Sequence, residues 1–225
     1  MLTEQFAELT QNKYNQLLTS LVLVMVFSSL ARKEGLVRLA IVTIFLLILL
    51  FVLKRLTSHK IPFYFYCFLA VVLLLLCGFE QLTATDVSDS VYMAGDIVLL
   101  MILGIPVYLM HKDISLLQSV TADLVKGGVA VYLLSGIGWA TVYDILYRLD
   151  PQSFKGISPE NISPDLFYFS FTTLTTVGYG DLSPAVAVSR ILANLEGVFG
   201  VMYPTIFIAL LVGLYQANSN ARWHQ

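Results

Sequence analysis

Five consecutive residues, Thr176-Val177-Gly178-Tyr179-Gly180, offer chemistry through their backbone rather than their side chains. The two glycines permit backbone conformations closed to other residues, so an extended segment can point successive carbonyl oxygens in one direction. Stripping a K⁺ ion of its water demands oxygens in exchange. The carbonyls of Thr176, Val177, Gly178 and Tyr179, with the Thr176 hydroxyl, supply rings of such oxygens when four chains meet at one axis. A single chain cannot enclose an ion. The expected bound species is K⁺ itself, at Thr176, Val177, Gly178 and Tyr179, with no cofactor and no catalytic residue required.

Such a segment needs a rigid lead-in, and residues 163–175, SPDLFYFSFTTLT, read as one. Ser163 is expected to cap a helix, with Pro164 at its first position and Asp165 in its first turn. A helix over 164–175 is only about 18 Å long, too short to cross a bilayer core of about 30 Å. It is therefore expected to be re-entrant, which membrane-depth backbone tolerates only where protein or water surrounds it. Its C-terminus carries roughly half a negative elementary charge, and this would point at mid-membrane and favour a cation there.

The rest of the chain looks built to hold that segment in a membrane. Of its 225 residues, 57% are hydrophobic and 12% charged, and the mean hydropathy is +0.78. Apolar runs at 17–31, 36–53, 61–79, 91–110, 124–147 and 187–216 are each near the ~20 residues a spanning helix needs. The expected fold is an all-α membrane protein with six transmembrane helices, the re-entrant helix and filter lying between the fifth and sixth. This divides the chain into a cytoplasmic N-terminus (1–16), a four-helix peripheral domain (17–110), an interfacial linker helix (111–123), a pore domain (124–216) and a short tail (217–225). Ile114, Leu117, Val120 and Leu124 give the linker its amphipathic spacing. Six spans put both termini on one side, taken as cytoplasmic, in a multi-pass protein of the plasma (inner) membrane. Lys and Arg do not separate the two sides.

Other function classes lack support. A net charge of −2 offers no basic surface, so no nucleic-acid partner is expected. Cys67 and Cys77 fall about 15 Å apart along one helix, beyond disulfide reach. A membrane enzyme needs convergent catalytic groups, and His59, His111 and His224 stand near segment ends with no paired acids around them.

With TTVGYGD in an apolar setting, residues 120–216 resemble the pore module of the tetrameric potassium channel family: two helices flanking a pore helix and a TVGYG filter. Asp181 after the filter, Pro184, Arg190 and Gly200 fall at family-like spacings. The resemblance implies a homotetramer of this chain with three identical subunits, embedded among membrane lipids, conducting K⁺ passively. Some relatives place a glutamate behind the filter to pair with the following aspartate. This chain has Thr172 there, so Tyr168 or Thr172 is expected to bond Asp181, with Thr175 completing the support and Phe167, Phe169 and Phe171 forming an aromatic surround. The alternatives are a non-selective cation channel or a potassium transporter subunit.

In the last helix, Pro204 cannot donate to the Gly200 carbonyl four residues earlier, so a bend is expected near 200–204. The family resemblance makes Gly200 a gating hinge, and a static kink is the plain alternative. Glu196, an ionisable group in an apolar helix, is a functional candidate by cost alone. It is expected either to face a water-filled cavity or to pair behind the filter with Asn194, Arg190 or a threonine. The fourth apolar run, VYMAGDIVLLMILGIPVYLMHK, has no regularly spaced arginines. Weak or absent voltage dependence follows.

Overall fold

The computed structural model of the chain describes residues 13–30, 35–56, 60–82, 88–116 and 121–223. Seven helices account for nearly all of these: α1 (Lys13–Leu30), α2 (Gly35–Leu56), α3 (Lys60–Leu82), α4 (Asp89–Leu116), α5 (Ala122–Leu149), α6 (Ile162–Leu174) and α7 (Ala187–Trp223). The helices fall on the apolar runs because backbone amides in an apolar medium must bond within their own segment. Among the described residues, three stretches are long and apolar enough to cross a membrane: Asp89–Met110, Leu124–Leu149 and Ala187–Gln216. Val42–Val52 and Phe63–Phe79 are shorter apolar segments. The chain is an integral membrane protein of helical type.

Helices α1 to α5 pack each on the next, and α1 also returns against α5. Leu17 and Leu21 of α1, Leu46 and Leu49 of α2, Tyr66 of α3, Ile102 and Met110 of α4, and Leu124 and Leu134 of α5 form one continuous buried cluster. A second, smaller cluster of Tyr143, Phe154, Leu166 and Phe169 lies where α5 meets α6. There the rings of Tyr143, Phe154 and Phe169 meet edge to face in all three pairings, with centroids 5.2 to 5.4 Å apart, the geometry ring quadrupoles favour.

Three boundaries differ from the sequence expectation. No separate linker helix occupies 111–123 among the described residues: 111–116 continue α4, Ala122 already belongs to α5, and 117–120 lie outside the description. Neither Gly nor Pro interrupts 111–116, so nothing ends α4 earlier. Thr121 caps α5, its hydroxyl accepting the Leu124 amide at 3.1 Å. Residues 217–223, expected as a tail, extend α7, and α1 begins at Lys13 rather than 17, with 1–12 outside the description.

Between α5 and α6 the chain forms a buttress. Asp150 ends α5 and its carboxylate accepts the Gln152 amide at 3.0 Å. Phe154–Lys155 (β1) then pairs antiparallel with Ser183–Pro184 (β2), the segment just after the filter. Cys67 and Cys77 are free thiols, as their spacing requires.

One charged junction ties α4 to α5. Arg148 is 9% exposed; its Nε lies 2.6 Å from Asp144 and 3.9 Å from Asp96, and its Nη1 lies 3.3 Å from Asp89. The guanidinium also sits 4.3 Å above the Tyr92 ring. Asp89 is 70% exposed, and such a pair contributes little; Asp144, at 7% and the shortest distance, dominates. Arg148→Leu is expected to lower the unfolding free energy in detergent by about 3 kcal/mol, the cost of removing one member of a buried pair. Asp89→Asn should change the same thermal melt hardly at all.

Candidate functional site

Helix α6 starts one residue earlier than the expected serine cap. Asn161 is the cap residue, makes no side-chain cap bond, and its carbonyl accepts the Asp165 amide at 2.9 Å. Ser163 and Pro164 thus lie in the first turn, where a missing N–H costs nothing. Asp165 instead reaches back to the Ser158 amide at 2.9 Å, which fastens the helix start to the preceding loop. Leu166, Phe169, Ser170 and Leu174 form its buried face, at the three- and four-residue spacing of one helix side.

The helix ends on a double hydrogen bond. The Thr172 carbonyl accepts the amides of Val177 at 2.9 Å and Gly178 at 3.1 Å, and the Thr173 carbonyl accepts that of Thr176 at 3.0 Å. In a planar trans peptide the carbonyl of one residue opposes the N–H of the next. Turning the Val177 and Gly178 amides back to α6 therefore turns the Thr176 and Val177 carbonyls away from it. Positive φ values recur at alternate residues, Thr176 (61°), Gly178 (51°) and Gly180 (80°). For a β-branched threonine that conformation is an outlier and was not anticipated from the sequence. Val177 is 51% and Tyr179 73% exposed in the single chain.

The residues expected to support this segment divide. Tyr168 donates to the Asp181 carboxylate at 3.3 Å, and its ring lies parallel to that of Tyr179 with centroids 6.3 Å apart. Thr172 does not bond Asp181; its hydroxyl donates to the Phe169 carbonyl at 3.0 Å, the nearest acceptor on its own helix. Thr175 likewise donates to the Phe171 carbonyl at 2.6 Å. Gly156, unremarked in the sequence, adopts φ 88°, and a side chain there would strike the Asp181 carbonyl. A glycine is what lets the buttress close against the backbone just past residues 176–180.

Helix α7 runs through Pro204 without interruption. The Gly200 carbonyl, which Pro204 cannot serve, finds the Tyr132 hydroxyl of α5 at 3.5 Å, while that hydroxyl also reaches the Leu174 carbonyl at 3.0 Å. A Cβ on Gly200 would collide with the Leu174 backbone. Close packing of α7 on the end of α6 is thus a sufficient reason for this glycine. Tyr203 donates to the Gly128 carbonyl at 3.0 Å and stacks on Tyr132, centroids 5.9 Å apart.

Glu196 is fully buried and takes none of the expected partners. Neither Asn194, Arg190 nor a threonine meets it; the Tyr143 hydroxyl donates to Oε2 at 2.6 Å, and Ser170 Oγ lies 2.5 Å from Oε1. Those partners come from helices 26 and 53 residues away, so no local pattern announces them. Arg190 points elsewhere, its Nε 3.4 Å from the Pro184 carbonyl.

Residues 131–217 match a family model described as ion channel. Potassium voltage-gated channel subfamily A member 6 of Mus musculus is 37% identical over 108 residues, 48% of this chain and 19% of that protein. Its Rattus norvegicus counterpart matches to the same extent. Subfamily A member 4 of Homo sapiens is 37% identical over 62 residues, 28% of this chain and 9% of that one. The chain thus spans less than a fifth of the length of these relatives. No solved structure matches.

The glycine contacts yield a paired test. Gly200→Ala forces the methyl into Leu174 and should destabilise the fold by about 1–3 kcal/mol. Gly197→Ala, one turn away where a Cβ meets nothing within 4 Å, should leave the thermal melt unchanged or slightly raised.

Proposed function

We propose that this chain, whose residues 131–217 match the ion channel family model and whose relatives are potassium channel subunits, is one quarter of a K⁺-selective channel. Four copies meet at the filter, and K⁺ sheds its water onto the carbonyls of Thr176, Val177, Gly178 and Tyr179 and the Thr176 hydroxyl. Ions then cross down their gradient, and the protein performs no covalent chemistry. The observation that carries this reading is the double bond onto the Thr172 carbonyl, because it commits two successive carbonyls to face away from their own helix. Such oxygens have no hydrogen-bond partner among the described residues, and a desolvated cation on a symmetry axis is the natural one.

Helices α1 to α3 complete six spans around the pore, with both termini cytoplasmic in a plasma membrane. Tyr168, Thr175 and Asp181 hold the filter, and α7 lines the inner approach, with Gly200 and Pro204 the region where a gate would bend.

Voltage dependence is expected to be weak. One elementary charge moved through 100 mV yields about 2.3 kcal/mol, and the Asp89–Met110 stretch of α4 carries no Lys or Arg. Its two acids, Asp89 and Asp96, both lie beside Arg148 of α5, which opposes their displacement.

Flux from liposomes containing the purified protein tests the reading, comparing K⁺ with Na⁺, adding barium, and repeating with Gly178→Asp. Strong preference for K⁺, block by barium, and loss of flux or preference in the variant are expected. Equal passage of Na⁺ by the wild type would point instead to a non-selective pore. Bilayer recordings across a range of potentials check the weak voltage dependence.

A further inference from the structure

Helix α6 can hold carbonyls in place only as well as it is itself held, and its apolar contacts leave it free to slide. Besides the Asp165 tie at its start, two polar contacts to α5 and α7 hold its middle and its end. One is the Leu174 carbonyl at its end, met by Tyr132. The other is Ser170, buried at mid-helix, whose Oγ lies 2.9 Å from the Gly136 carbonyl of α5 and 2.5 Å from Glu196 of α7. Glu196 in turn receives the Tyr143 hydroxyl of α5. One carboxyl thereby joins three helices, and the Ser170 it holds stands two residues before Thr172, whose carbonyl orients the filter amides. Among the described residues no cation forms an ion pair with it, and none of its atoms reaches solvent in the chain.

We propose that Glu196 is a positioning residue for the filter, acting as a two-pronged hydrogen-bonding link from α7 to Ser170 and Tyr143 and not as a charge in the ion path. The inference rests on the reading of 176–180 as the filter. Its consequence follows from counting protons. Ser170 has one hydroxyl proton and two acceptors in reach, the Gly136 carbonyl and Glu196 Oε1. A glutamine satisfies the same set completely: its carbonyl oxygen accepts from Tyr143, its N–H donates to Ser170 Oγ, and Ser170 donates to Gly136. The charge is dispensable; the fork of two polar atoms is not. A leucine of similar volume leaves two buried hydroxyl groups with a lost partner.

The K⁺/Na⁺ flux ratio in liposomes decides this, measured for wild type, Glu196→Gln, Glu196→Leu and Ser170→Ala at matched amounts of assembled protein. Glu196→Gln should stay within about twofold of wild type, while Glu196→Leu and Ser170→Ala should each lower the ratio about tenfold, the equivalent of one lost hydrogen bond. Adding Ser170→Ala to Glu196→Leu should lower it no further, since both break one link. Ser170→Ala, which removes a single oxygen, keeps the test open should Glu196→Leu not assemble. A ratio as low in Glu196→Gln as in Glu196→Leu would overturn the proposal in favour of a role for charge. Unchanged selectivity in both Glu196→Leu and Ser170→Ala would overturn it outright. A wild type that passes both ions alike would instead sink the filter reading on which the proposal stands.

Discussion

A carbonyl oxygen has two lone pairs, and the Thr172 carbonyl uses both on the amides of Val177 and Gly178. Because each peptide unit is planar, fixing where an amide points fixes where the preceding carbonyl points. The whole conduction chemistry proposed for this chain descends from that constraint. An extended strand with its amides bonded to water would be free to rotate its carbonyls out of line. Here the amides are taken up by a helix end, and the oxygens behind them have no partner among the described residues. Thr176 accepts an unfavourable φ of 61° to make the turn, a distortion of order 1–3 kcal/mol that persists only where surroundings over-determine it.

Everything around α6 is arranged to keep that helix end still. The Tyr143 and Phe154 rings pack against Phe169 on its buried face, and Asp165 ties its start to the loop before it. Gly136 lets α5 close on the Phe171 and Leu174 side chains, and Gly200 lets α7 close on the Leu174 backbone. The buttress strand β1 pairs with the residues after the filter, and Ser189 of α7 donates to the Ser153 carbonyl at 2.7 Å in the same corner. Residues 176–180 are therefore gripped before the first and after the last, by segments that include ones distant in sequence.

That distance explains how much could be read from the sequence. The short helix was legible because a run too short to span is a local signal, found at Ile162–Leu174 against an expected 164–175, and the five-residue motif that follows it is local too. The helical runs were legible from hydropathy. What could not be read are contacts between elements. Thr172 was expected to act through its hydroxyl, yet its carbonyl does the work, and a carbonyl is invisible to sequence because every residue has one. Gly200 was assigned flexibility, whereas the same missing Cβ serves close packing against Leu174. The partners of Glu196 depend on the rotation of three helices about their axes, which hydropathy does not fix.

One part of that rotation does have a sequence trace. Ser189, Glu196 and Tyr203 recur every seven residues along α7, and a seven-residue period returns to nearly the same side of a helix. All three make polar contacts to the rest of the chain, Ser189 to Ser153, Glu196 to Ser170 and Tyr143, and Tyr203 to Gly128. Phe207, Leu211 and Leu214 continue the stripe as apolar contacts to the core. The other sides of α7 present Val188, Ile191, Leu195, Val198, Val201 and Ile206 outward. Uniform hydropathy hides this division, since lipid and neighbouring helices are alike apolar and only polar groups must choose a side. Along α7 the buried polar residues thus mark the face that meets its own chain, whereas Asn194 and Thr205 stand exposed on other sides.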